Sequence, residues 1–127
     1  MKATRITYWI TTVIIAVMMV YSFYAYLTQA AIIQAFQHLG FPSYFRVELA
    51  VAKLIGAILL LQPFSKLAKE WAYAGFTITF VSAVIAHVSS GDPAGVFMAP
   101  VIFLVILGLS YFTYRKSLTQ PSPLERA

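Results

Sequence analysis

Four apolar blocks run along the chain, at about 6–27, 45–62, 71–89 and 95–114, with polar residues, glycines and prolines collected between them. A helix needs about 20 apolar residues to cross the hydrocarbon core of a bilayer. The outer two blocks meet that length and the middle two fall slightly short. None shows the broad polar face that a soluble amphipathic helix turns to water. The pattern predicts an all-α membrane protein, a four transmembrane helix bundle forming one domain over residues 1–116, with a mobile cytoplasmic tail at 117–127.

The connections carry their own signals. Residues 29–39 place Ile32, Ile33, Phe36 and Leu39 on one side and Gln34, Gln37 and His38 elsewhere. This spacing predicts a short amphipathic outer helix between the first and second spans, lying in the lipid interface or covering a cavity that opens outward. Thr28 can cap its start, and Gly40 followed by Pro42 can stop it. Ser90-Gly91-Asp92-Pro93 reads as a tight turn, with Asp92 as the N-cap of the last helix and Pro93 at its first position. Pro100 falls inside that helix, where it removes a backbone donor and is expected to kink it.

Composition agrees with the pattern. The 127 residues are 61% hydrophobic and 10% charged, too little polar surface for a small soluble domain. The net charge of +5 is no nucleic-acid signal, because the basic residues flank the apolar blocks instead of gathering on one polar face. Lys2, Arg5, Lys66, Lys69, Arg115 and Lys116 fall on one side of the alternating spans, and only Arg46 falls on the other. By the positive-inside rule both termini are expected in the cytoplasm, with a bacterial inner membrane as the setting. The first block is longer than the apolar run of a cleaved signal, so it is expected to stay as a span. Aromatic residues collect at the expected interfaces: Tyr8, Trp9, Trp71, Tyr73, Tyr111 and Tyr114 at one, and Tyr21, Tyr24, Tyr26, Phe41, Tyr44 and Phe45 at the other. The group at the outer end of the first span is denser than anchoring needs. It can also line a pocket, with Tyr24 as the candidate contact. There is no cysteine, which removes disulfide, thiol and Cys-metal chemistry. The two histidines, His38 and His87, are too few and too distant in sequence for a metal or haem site.

The second block carries the chemistry. It holds Arg46, Glu48 and Lys53 in an otherwise apolar run. A lysine at the centre of a membrane helix costs roughly 2.5–3.5 kcal/mol on insertion scales and is retained where protein or water surrounds it. At helical spacing Arg46 and Lys53 lie within about 20° of each other, with Leu49, Ala50, Gly56, Ala57 and Leu60 on the same face. Small residues let a neighbouring helix approach, so this face should turn into the bundle. Glu48 lies on the opposite side, near the outer end. A second small-residue stripe, Gly75, Thr79, Ser82, Ala86 and Ser90, runs along the third span beside His87. The depths of these residues predict an outer cluster of Arg46, Glu48 and His87, joined by Asp92, with Lys53 deeper. Ion pairs at helix ends and single histidines commonly serve packing alone. The candidate ligand contacts are nonetheless Lys53, His87, Glu48, Arg46 and Tyr24. No nucleophile–base pair, metal set or cofactor motif is visible.

These stretches carry a resemblance. His38-Leu39-Gly40-Phe41-Pro42, Arg46-Val47-Glu48-Leu49, Ala52-Lys53-Leu54-Ile55-Gly56-Ala57, Lys69-Glu70-Trp71-Ala72-Tyr73-Ala74-Gly75-Phe76 and Ala86-His87-Val88-Ser89-Ser90-Gly91-Asp92-Pro93 resemble the DoxX-like family, in order and over nearly the whole chain. The resemblance implies a small four-helix membrane protein. Many such relatives carry an acidic residue where this chain has Lys53. The family takes its name from a subunit associated with thiosulfate:quinone oxidoreduction, and distant animal relatives include a membrane chaperone for receptor assembly. Three functions stay open at this point: a protein binding a quinone or lipid in a polar-lined intramembrane cavity, an assembly subunit for another membrane protein, and an accessory subunit of a quinone-linked oxidoreductase. Transport is a fourth, and needs a dimer to form a path. The partners expected are the lipid bilayer, a membrane protein or a second copy, and no nucleic acid. No resident cofactor is expected, quinone entering only as a ligand.

Overall fold

The computed structural model describes residues 2–118, which form five α-helices and no strand among them. They are α1 (Lys2–Thr28), α2 (Ala30–Leu39), α3 (Ser43–Leu61), α4 (Lys66–Ser89) and α5 (Ala94–Leu118). Residues 117 and 118 continue α5; the rest of the expected tail lies outside the described residues.

Helices α1, α4 and α5 are long and apolar enough to cross a membrane by length and composition. Four spans are expected from the pattern; α3 differs from the other three because its 19 residues include Arg46, Glu48 and Lys53. α1 packs against α3 and α5, and α4 packs against the same two, so α1 and α4 lie diagonally across the bundle. α2 rests on the ends of α1 and α3.

The helix ends are set by local chemistry. Gly40 closes α2 with φ +84°, its N–H bonding the Gln37 carbonyl while the Phe41 N–H reaches the Phe36 carbonyl at 2.9 Å. Gly91 closes α4 in the same way, with φ +76° and the Asp92 N–H on the His87 carbonyl at 3.0 Å. Both are Schellman motifs, whose left-handed residue is easiest for glycine. At the opposite end Ser65 caps α4, accepting from the Ala68 N–H at 3.1 Å. Gln62 ties the same turn: its Oε1 accepts from the N–H groups of Phe64 and Ser65, each at 2.8 Å.

Two expected caps are different. The Thr28 hydroxyl donates back to the Tyr24 carbonyl at 2.8 Å, and Gln29 stands at the α2 N-cap without capping it, its side-chain amide donating to the Tyr21 hydroxyl at 3.1 Å. A threonine at the end of a helix can satisfy the carbonyl four residues back instead of the next helix's amides. Asp92 does not cap α5 either, because its carboxylate faces two imidazoles. Pro93 precedes α5 instead of occupying its first position, and α5 runs through Pro100 as one helix.

The core fills the half of the bundle remote from α2. Ile15, Leu60 and Leu107 are fully buried there beside Thr12 and Ser110. The Ser110 hydroxyl bonds both the Thr12 hydroxyl and the Tyr73 hydroxyl at 2.7 Å, so none of the three polar groups is stranded. Lys69, read from sequence as a loop cation, is buried in α4 and donates to the Tyr8 hydroxyl and to the Leu60 carbonyl. Tyr8, Tyr73 and Tyr114 are core residues and not an interface belt; Trp9 and Trp71 are the exposed rings at that end. Glu70 is held outside by Tyr111 at 3.0 Å and Arg115 at 3.3 Å.

Close packing of α3 on α4 falls at Gly56, where the Phe76 ring presses on the helix backbone. The α4 stripe does not pack in this way. Gly75 has open space where a side chain would stand, Ser82 and Ser90 are exposed, and Thr79, Ser82 and Ala86 line a cavity.

Candidate functional site

The core does not extend to the α2 end. A cavity of about 450 Å³ occupies that half of the bundle, with walls from all five helices. Its size falls in the range of about 300–1,000 Å³ seen for small-molecule sites. Phe36, Phe41, Phe45, Phe80 and Phe103 make most of the wall apolar. α2 contributes Ile32, Ala35, Phe36 and Leu39, spaced to share one helical face, and so forms the roof. Ile78 is 67% exposed and also lines the cavity, which is therefore open along the α4 side.

Lys53 projects into this space and is 6% exposed. The face shared with Ala50, Gly56, Ala57 and Leu60 is buried as the helical spacing predicts. Its ammonium sits 4.3 Å from the centroid of the Tyr26 ring and 3.4 Å from the Ser22 hydroxyl. Neither neighbour carries a formal charge, and no carboxylate among the described residues pairs with Lys53. Burying an unpaired ammonium costs several kcal/mol. A cation–π contact returns roughly 0.5–2 kcal/mol, and a hydrogen bond at 3.4 Å is a long one. The remaining deficit is what a ligand bearing lone pairs or negative charge can relieve.

A second polar group stands at the rim. Asp92 bridges two histidines, its Oδ1 meeting His38 Nε2 at 2.8 Å and its Oδ2 meeting His87 Nδ1 at 2.7 Å. The bonds from His87, then from His38, hold the Asp92 carboxyl below the ordinary carboxylate value. An ionised carboxylate only accepts, so both imidazoles donate to it. The Schellman turn at Gly91 brings the Asp92 backbone onto the end of α4, which aims its side chain at His87. His38 belongs to the last turn of α2. The bridge therefore ties the roof to the α4–α5 turn. Among the described residues no group of three acidic or histidine side chains is arranged to hold a metal.

The five sequence candidates separate. Lys53 and His87 line the same cavity. Arg46 instead donates to the Tyr26 carbonyl at the end of α1. Glu48 is exposed on the outer face of α3 and joins no cluster. The expected grouping of Arg46, Glu48 and His87 therefore does not form; His87 and Asp92 come together, with His38 as their third member. Tyr24 is 61% exposed and lies outside the cavity. Two residues further on, about 200° around the helix, Tyr26 supplies the ring over Lys53. Ser22, Tyr26 and His38 were not among the candidates. The spacing of Ser22 and Tyr26 was a usable signal, since residues four apart share a face.

The model of the DoxX-like family matches residues 10–110. The chain belongs to the DoxX-like family. Family and apolar helices together make this DoxX-like chain a helical membrane protein. No curated protein and no solved structure matches it.

Proposed function

We propose that this DoxX-like protein is a membrane receptor for a lipophilic molecule with an electron-rich head, a quinone or a lipid. In this reading the head rests against Lys53, the apolar part lies among the phenylalanines, and α2 closes over both. One observation carries the reading: a buried ammonium without a carboxylate partner faces a cavity large enough for a ligand. The chain crosses the bilayer four times, α3 being admitted as a span because α1 receives its two cations. Six basic residues, Lys2, Arg5, Lys66, Lys69, Arg115 and Lys116, mark the end remote from α2 in sequence order. That asymmetry supports cytoplasmic termini, a cavity opening toward the outer leaflet, and a bacterial inner membrane as the setting.

The test is ligand-induced stabilisation of the purified protein. Decylubiquinone or a single-chain lipid, oleate, should raise the unfolding temperature of the wild type, and Lys53→Met should lose most of that rise. Equal shifts in the two proteins, or no shift with either compound, refute the reading.

A further inference from the structure

The cavity holds more information about its ligand than the single cation. Lys53 and Arg46 both lie on the inward side of α3, seven residues apart, and the acid of that helix, Glu48, faces out. Asp92 is occupied by two histidines. The side-chain charge near the inner cavity wall is thus positive and uncompensated among the described residues. A neutral carbonyl can accept a hydrogen bond from Lys53 but leaves that charge in place. An anion removes it, and does so where water is scarce and the interaction is strongest.

Hydrogen-bond capacity narrows the head group further. An ammonium has three donors, and Lys53 uses one on the Ser22 oxygen and turns toward the Tyr26 ring. Ser22 accepts that bond, so its own hydroxyl proton is unspent. Lys53 and Ser22 together offer two donors side by side, which suits the two oxygens of a carboxylate. The rest of the wall is apolar and aromatic. A volume of about 450 Å³ takes a single acyl chain and not a whole two-chain phospholipid.

We infer that the ligand is a single-chain amphiphile ending in a carboxylate, a fatty-acid anion, bound with its carboxylate between Lys53 and Ser22 and its chain among Phe45, Phe80 and Phe103. This rests on the receptor reading and specifies its ligand. α4 is the route of entry, since Ile78 and Ser82 are both exposed and cavity-lining. The acid can pass from the lipid through this side opening without crossing water.

Binding of radiolabelled palmitate to the full chain in detergent tests the inference, with palmityl alcohol and decylubiquinone as competitors. Palmitate should bind at one site per chain, and the alcohol should compete about tenfold or more weakly, the worth of one charge-assisted hydrogen bond. Lys53→Met should lose palmitate by at least that factor. Ser22→Ala, a milder change at the half-buried wall, should weaken palmitate and leave decylubiquinone competition little altered. Equal competition by acid and alcohol, or undiminished palmitate binding by Lys53→Met, overturns the inference. A Lys53-dependent rise in unfolding temperature with decylubiquinone and no palmitate binding overturns it while leaving the receptor reading intact. Absence of Lys53-dependent binding for both compounds removes the two together.

Discussion

Gly56→Ala puts the contact between α3 and α4 under direct strain. A Cβ at this position lies 2.5 Å from Cζ of Phe76, and 3.0 and 3.1 Å from the two adjoining ring carbons. Non-bonded carbons settle at about 3.5–4.0 Å, so the ring must retreat by about 1 Å. Its retreat has to carry a ring stack toward the cavity. Phe76 is 4% exposed and stacks on Phe80 at 6.1 Å, and Phe80 stacks in turn on Phe103 at 5.9 Å. Overpacking of a well-filled core costs about 1–3 kcal/mol. The alanine itself is a better helix former than glycine by about 0.5–1 kcal/mol, so the net loss sits toward the lower part of that range. Phe76→Leu removes the opposing ring and should relieve the clash. Reversible unfolding in mixed micelles, run on the two single variants and the double variant, yields the coupling energy. A value of about 1 kcal/mol or more is expected, above the 0.3–0.5 kcal/mol scatter of independent sites. Additive effects, or a Gly56→Ala protein as stable as wild type, refute the argument that Phe76 rests on the α3 backbone.

Two further outcomes follow from the polar groups. The Tyr114 hydroxyl is buried with no partner among the described residues, so Tyr114→Phe should not lower the unfolding free energy. Tyr8→Phe takes an acceptor from the buried Lys69 and should lower it by about 1–3 kcal/mol; the same micelle titrations compare the two, and the reverse order refutes the assignment. The Asp92 carboxyl lies below its ordinary value of 3.8, mainly through His87 and then His38. A depressed carboxyl contributes stability above its unfolded value and loses it as pH falls through the folded one. Amide protection in α2, measured against the intrinsic exchange rate at each pH, should therefore hold as pH falls to 3.8 and weaken below it. Asp92→Asn should remove that acid step, and an unchanged exchange profile in the variant rules out the bridge as the clasp of α2.

Periodicity made the helices legible because a membrane helix is specified by a long apolar run, a signal with few alternatives. The orientation of Lys53 was legible for a related reason: Ala50, Gly56 and Ala57 leave a face on which a neighbour can close. What periodicity does not carry is which polar atom on another helix fills the space opposite. Arg46, Glu48 and His87 share a depth, and depth alone grouped them. In the structure Arg46 turns to the Tyr26 carbonyl, a backbone acceptor with no sequence signature, and leaves His87 to Asp92. Tyr26 and not Tyr24 lines the cavity, an azimuth that the sequence does not reveal because a dense aromatic run contains a ring for every direction. Lys69 and the tyrosines around it were misread because a charge or phenol close to a loop has the same local sequence whether it faces lipid headgroups or the core. The cavity itself was expected only as a roofed space, and its walls depend on the thin packing of α4 at the end near α2.

Both cations of α3 are received by α1. Arg46 reaches the Tyr26 carbonyl, and Lys53 meets the Tyr26 ring and the Ser22 hydroxyl. α1 is also made before α3. When α3 leaves the ribosome, the groups that make its charges tolerable already exist in a finished helix, joined to it by a short connection that keeps them near. The order of synthesis matches the order of need. The aromatic and hydroxyl groups of α1 thus serve twice, as part of the cavity wall in the folded protein and, earlier, as ready partners for a helix that brings two cations with it.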